Sequence, residues 1–127
     1  GRIIKLMIGR EVRPKGARAL VLGLTFKEDC PDVRNTKVID LIAELESYGV
    51  NVDVHDPWAD AAEAKAEYGI DLLEAPERGN YDTVVLAVAH HQFREWGAEG
   101  IRSLCNPNGV IYDIKYLLPE AATDERL

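Results

Sequence analysis

Apolar residues fall along the chain in blocks of two distinct periods. Residues 19–24 form a continuous apolar run and residues 81–89 a second strongly apolar one, as in strands buried on both faces of a parallel sheet. Between them Val38, Leu41, Ile42 and Leu45 recur at helical spacing, with Glu44 and Glu46 outside the stripe. Asn35 or Thr36 is placed to cap that helix and Gly49 to end it. Val50, Val52 and Val54 alternate in strand fashion until His55-Asp56-Pro57 stops them. Residues 2–13 read as the tail of a helix broken by Pro14-Lys15-Gly16, and residues 59–68 as an Ala- and Glu-rich helix. Residues 70–73 suggest a short edge strand, 92–96 and 98–105 short helices, 106–109 a turn, and 110–113 the last strand. Strand and helix thus alternate about five times. That pattern predicts an α/β fold with an open parallel sheet of five or six strands and helices on both faces. The expected order is 3-2-1-4-5, with a ligand crevice beyond the carboxyl ends where the chain reverses between the first and fourth strands.

At 127 residues the chain suits a single core. Its net charge of −7 argues against a nucleic-acid or anionic-membrane surface and makes any local group of cations informative. No apolar run approaches the roughly 20 residues of a membrane span, and the apolar residues near the start are too few for a signal peptide. Cys30 and Cys105 have neither a C-x-x-C partner nor metal-ligand spacing, so two free thiols in a reducing cytoplasm are expected. The chain opens with Gly1 rather than Met and reads as a piece of something longer.

The loop after the first strand carries Phe26, Lys27 and Arg34 and leads into a helix. Such a βα turn faces a phosphorylated ligand, here with cations in place of a Gly-rich phosphate loop. The fourth strand delivers His90 and His91 to the same edge, and the fifth brings Lys115. A diphosphate is the natural partner, each charge-assisted hydrogen bond contributing roughly 1.5–3 kcal/mol, with Phe26 as an apolar or stacking wall. The plainer alternative pairs Lys27 and Arg34 with Glu28, Asp29 and Asp32. Adjacent histidines point apart on an extended chain and lack metal-ligand spacing; His90 is expected either to order the loop, to touch the ligand, or to serve the core. Asp56 occupies the place of a ribose-binding acid, but no G-x-G-x-x-G precedes it, and a strand-stopping turn accounts for it more simply. Cys30 lacks a placed base that would make it catalytic.

The string GLTFKEDCPDVRNTKVIDLI, the His55-Asp56-Pro57 turn, AVAHHQF, and IYDIK followed by LLP resemble the carboxyl-terminal domain of UDP-glucose/GDP-mannose dehydrogenases. Within that family they look most like the branch that oxidises UDP-N-acetylhexosamines for surface polysaccharides, the Vi-antigen type. The likeness runs from about Ala17 to Pro119, and four motifs in order make it specific. It implies a Rossmann-like three-layer sandwich. It also implies a parent enzyme with an amino-terminal NAD-binding domain and a central helical dimerisation domain, which takes the sugar 6-hydroxymethyl group to a carboxylate through a catalytic cysteine.

By that resemblance Phe26, Lys27 and Lys115 contact the nucleotide sugar and Arg34 reaches NAD; His90 joins the substrate-binding candidates from its place at the strand end, not from the resemblance. Residues 1–16 become the end of a connecting segment and residues 17–127 the UDP-sugar-binding domain. The catalytic cysteine belongs to the other parts, so this piece alone is expected to be inactive. The parent is expected to be a cytoplasmic homodimer. Where UDP-glucose enzymes have an arginine, Lys115 supplies a point charge without a bidentate fork, which argues against UDP-glucose as substrate. The competing reading is a stand-alone nucleotide-binding regulatory module. A receiver domain is disfavoured, because the first and third strands lack its acidic set.

Overall fold

The computed structural model describes residues 2–126. Five parallel strands, β1 (Arg18–Leu22), β2 (Asn51–His55), β3 (Tyr81–Leu86), β4 (Cys105–Asp113) and β5 (Glu125–Arg126), form one sheet in the order β2-β1-β3-β4-β5. The helices are α1 (Arg2–Gly9), α2 (Val38–Ser47), α3 (Ala61–Tyr68) and α4 (His91–Arg102).

The two faces follow from the alternation within the central strands. Ala19 and Val21 of β1 and Val85 of β3 point to one side, where Ile3, Ile4 and Met7 of α1, Ile42 and Leu45 of α2 and Ala64 of α3 cover them. Leu20, Leu22, Val84 and Leu86 point to the other, beneath Phe93 and Ile101 of α4 and the later Leu117 and Leu118. This is the expected three-layer α/β arrangement. Met7 is fully buried, so α1 is part of this core.

The strand order needs one correction. The predicted 3-2-1-4-5 counts residues 70–73 as an edge strand, and they are not one. Ile70 and Leu72 pack inward and Asp71 meets Lys65 at 3.0 Å, leaving a single ladder-like bond from Leu73 N to Val54 O at 2.7 Å. The other four predicted strands keep their neighbours. The opposite edge gains β5, whose two residues are too short to show a period. Asp124 secures it, its N–H donating to Ile111 O at 3.0 Å and its carboxylate accepting from Ile111 N at 2.8 Å.

The turn expected at 106–109 is a bulge inside β4, where the register with β3 shifts from Tyr81↔Cys105 to Thr83↔Val110. The two short helices expected at 92–96 and 98–105 lie within α4, divided where Gly97 takes the non-helical φ 67° and ψ 178°, and the second ends at Arg102 rather than residue 105.

Candidate functional site at the carboxyl edge of the sheet

The strand register brings four chain exits together. Leu22 of β1 lies opposite His55 of β2 and Leu86 of β3, and Leu86 lies opposite Asp113 of β4. The segments after Leu22, His55, Leu86 and Asp113 therefore leave from one edge, and the crevice between the β1 and β3 exits is the switch point of the sheet. Gly23 keeps that crevice tight. Its φ is 103°, and a Cβ there would stand 2.5 Å from Val88 Cβ. This glycine serves close packing of β1 against the β3 exit rather than approach of backbone to a phosphate.

A cavity of about 460 Å³ opens at this edge. Phe26 and Lys27 come to it from the β1 loop, Lys115 from the β4 exit, and Ala87, Val88 and Ala89 form its apolar floor. Lys37 joins them at the amino end of α2. Among the described residues none of Lys27, Lys37 and Lys115 is in an ion pair. Lys37 occupies the N-cap of α2 without a side-chain cap bond, a position where the helix dipole disfavours a cation and an anion would be welcome. Three ammonium groups with no ion-pair partner among the described residues thus line one concavity against a single carboxylate, Glu28, and give it a positive bias in a protein of net charge −7. Phe26, 59% exposed, offers its ring beside them.

A buried polar network holds the loop. Asp56, at the β2 exit, accepts from Leu24 N (2.6 Å), Thr25 N (3.0 Å), Trp58 N (2.7 Å) and Ala59 N (3.0 Å), and from His90 Nε2 at 2.9 Å. Burial works to raise its pKa, but the His90 bond and the loop amides outweigh burial and hold the carboxyl below its ordinary value. At the β4 exit Asp113 is fully buried and accepts from Lys115 N at 3.2 Å and Leu118 N at 2.8 Å, which folds the segment that carries Lys115.

Of the residues singled out from sequence, Phe26, Lys27 and Lys115 meet at the cavity. His90 does not line it. The imidazole is fully buried behind the loop, bonded to Asp56, Thr25 and the Asp29 amide, so it cannot touch a ligand in the cavity. Arg34 also stands apart. Its guanidinium folds back on Asp32 at 3.0 Å and is mostly exposed, so this cation follows the plainer ion-pair alternative. His91 is exposed and bonds the Asp29 carboxylate at 3.1 Å. Cys30 and Cys105 are both free thiols, and burial pushes the Cys105 thiol up to about 11. Among the described residues no cluster of His, Cys, Asp or Glu is suited to a metal ion, and no helix is long and apolar enough to cross a membrane. Sequence reasoning missed Lys37 and Asp113. The signal for the first was a lysine at the start of α2, where a capping residue is usual.

A larger concavity of about 760 Å³ lies near the amino ends of β1 and β3. Two of its arginines, Arg10 and Arg102, are already engaged by Asp124 at 2.7 and 3.1 Å. The carboxyl edge, with unpaired cations and an apolar floor, is the stronger candidate.

Comparison with known proteins decides the family. Residues 20–120 match the model of the UDP-glucose/GDP-mannose dehydrogenase family, UDP binding domain. The chain belongs to that family. Among curated relatives of this UDP binding domain, the UDP-N-acetyl-D-glucosamine 6-dehydrogenase of Pseudomonas aeruginosa is 51% identical over 126 residues, covering 99% of this chain and 30% of the relative. The enzyme of the same name from Salmonella typhi is 44% identical over 126 residues, again with 99% of this chain and 30% of the relative covered. The chain therefore spans about three-tenths of the length of these relatives. The fold recurs in solved dehydrogenases. A UDP-D-ManNAc dehydrogenase from Pyrococcus horikoshii aligns with TM-score 0.76 at 20% identity over 98% of this chain and 28% of its own. An NDP-N-acetyl-D-galactosaminuronic acid dehydrogenase from Methanosarcina mazei Go1 aligns with TM-score 0.79 at 21% identity over 92% and 24%.

Proposed function

We propose that this chain is the nucleotide-sugar-binding part of an NAD-dependent UDP-N-acetylhexosamine 6-dehydrogenase that supplies a uronate for surface polysaccharide. One observation carries the reading: Lys27, Lys37 and Lys115, drawn from separate chain segments, surround one cavity in a UDP binding domain. A diphosphate neutralises them, Phe26 flanks the base or sugar, and the apolar floor of Ala87, Val88 and Ala89 excludes water behind it. The relatives' names supply the sugar class, and Lys115 in place of an arginine favours an N-acetylhexosamine over glucose.

The residues here do not fit a complete dinucleotide site. Asp56 would be the acid for a ribose, but it is buried with both carboxylate oxygens engaged by backbone amides, and Gly23 is committed to packing. NAD is accordingly assigned to a part of the parent enzyme outside this chain, with the exposed Arg34 as this domain's contribution. Oxidation needs that other part, so the chain alone is inactive. Residues 1–16 are proposed as the end of a connecting segment, with residues 17–127 the nucleotide-sugar domain. The parent is proposed to be a cytoplasmic homodimer joined through its central domain.

Calorimetric titration of UDP-N-acetylglucosamine into the chain tests the site. Lys27→Ala and Lys115→Ala should each weaken binding about tenfold or more, as loss of a charge-assisted hydrogen bond of roughly 1.5–3 kcal/mol requires. Arg34→Ala should leave affinity unchanged in the isolated chain. Binding by the wild type that persists undiminished in both lysine variants would overturn the assignment.

A further inference from the structure

We propose that His90 is a positioning residue, which in its Nε2–H tautomer staples the loop of residues 25–29 to the sheet edge and thereby sets where Phe26 and Lys27 stand. The proposal rests on the nucleotide-binding reading above, and it assigns His90 a role that does not involve touching the ligand.

The tautomer follows from the hydrogen bonds. The Asp29 amide donates to His90 Nδ1 at 2.9 Å. A backbone N–H can only donate, so Nδ1 carries no proton, and the neutral ring bears its hydrogen on Nε2. There it faces Asp56 Oδ2 at 2.9 Å and Thr25 Oγ1 at 3.1 Å. The Thr25 hydroxyl donates onward to Lys27 O at 2.9 Å. One fully buried ring thus ties the loop at both ends, and the intervening backbone is tied through Thr25. The ring plane is itself fixed between Phe93 and Trp58, at centroid distances of 5.6 and 6.3 Å.

The loop needs this tie. Asp29 takes φ 51°, a left-handed conformation that an aspartate adopts at a cost. Its amide bond to His90 and its carboxylate, which accepts from His91 N at 2.9 Å, hold it there against the start of α4. Phe26 and Lys27 are exposed, and their side chains have no hydrogen-bonded or ionic partner among the described residues. Their positions come from the backbone of the loop. Releasing Asp29 should leave Lys27 chemically intact and misplaced, and entropy is then lost again on each binding event.

Two half-variants separate the ends of the staple. In His90→Asn the side-chain oxygen stands near the place of Nδ1 and keeps an acceptor for Asp29. In His90→Gln the amide nitrogen reaches the place of Nε2 and keeps the donor to Asp56 while losing that acceptor. Titration of UDP into the wild type and both variants, with Asp29 amide exchange followed by NMR, reads the effect. The expected result is UDP affinity about tenfold lower in His90→Gln than in His90→Asn, with faster Asp29 exchange in His90→Gln. Equal affinities in the two variants, or losses that follow only their melting temperatures, would overturn the proposal. Imidazole ¹⁵N shifts of the wild type supply a test that survives misfolding of both variants: a protonated Nδ1 contradicts the staple. If the wild type binds no UDP, the nucleotide reading fails, while the exchange and ¹⁵N data still decide whether His90 holds the loop.

Discussion

Replacing Asp56 by Asn removes one charge and almost no volume, yet the network around it predicts a large loss of stability. The Asp56 side chain is fully buried and accepts from four backbone amides and from His90. An asparagine offers one acceptor oxygen. With that oxygen toward Trp58 and Ala59, its NH₂ confronts the Leu24 and Thr25 amides and the His90 Nε2–H, donor against donor. Flipped, it confronts Trp58 and Ala59 instead. Either orientation leaves at least two buried donors unsatisfied, each costing about 1–3 kcal/mol. Two such losses sum to roughly 2–6 kcal/mol, and losses at neighbouring groups are not strictly additive. We therefore expect Asp56→Asn to lose about 3–5 kcal/mol, a large share of the roughly 5–15 kcal/mol available to a domain. Urea denaturation should show a lower midpoint at unchanged slope. The pH dependence gives a second reading. Because the native carboxyl titrates below its ordinary value, its contribution is complete above the unfolded pKa of about 3.9 and fades as pH falls through the lower native value. That acid-side decline should be shallower in the variant. A loss below 1 kcal/mol with an unchanged acid limb would refute the account of Asp56 as the hub of the site.

Gly23→Ala should cost about 2–4 kcal/mol through overpacking and backbone strain, because its Cβ would lie 2.5 Å from Val88 Cβ at φ 103°. A melting temperature within a degree or two of wild type would contradict this. At the other edge of the sheet the Tyr81 hydroxyl donates to Asp53 at 2.8 Å, and burial together with that carboxylate raises its pKa to about 12. A raised phenol pKa contributes stability that is whole below pH 10 and lost as pH climbs toward 12, so alkaline denaturation of the wild type should fall in that window. Tyr81→Phe should lose about 0.5–1.5 kcal/mol at neutral pH and flatten the alkaline limb; an unaltered limb assigns the effect elsewhere.

Much of the fold was written in local periodicity. Buried parallel strands and amphipathic α2 declare themselves because each residue's fate depends on neighbours one to four positions away. Strand order was legible for the four strands with strong patterns, since right-handed crossovers leave few alternatives. It failed at residues 70–73, where an apolar run is compatible with a strand and tertiary packing of Ile70 and Leu72 decided otherwise. β5 lacked the length to show a pattern and exists through Asp124.

For the site, sequence alone determined the supply of parts: a βα loop with Phe26 and Lys27, a histidine after the third observed strand, a lysine after the fourth. It could not say which groups face the ligand, because that depends on distances between residues far apart in the chain. Tertiary structure turned His90 inward to Asp56, 34 residues away, and folded Arg34 back onto Asp32. It also added Lys37 to the cavity and used Asp113 to shape the segment carrying Lys115. The physical reason is that desolvation sorts charged groups. Asp56 and His90 can be buried because each finds partners across the sheet edge, whereas Lys27, Lys37 and Lys115, with no ion-pair partner among the described residues, stay exposed at the rim.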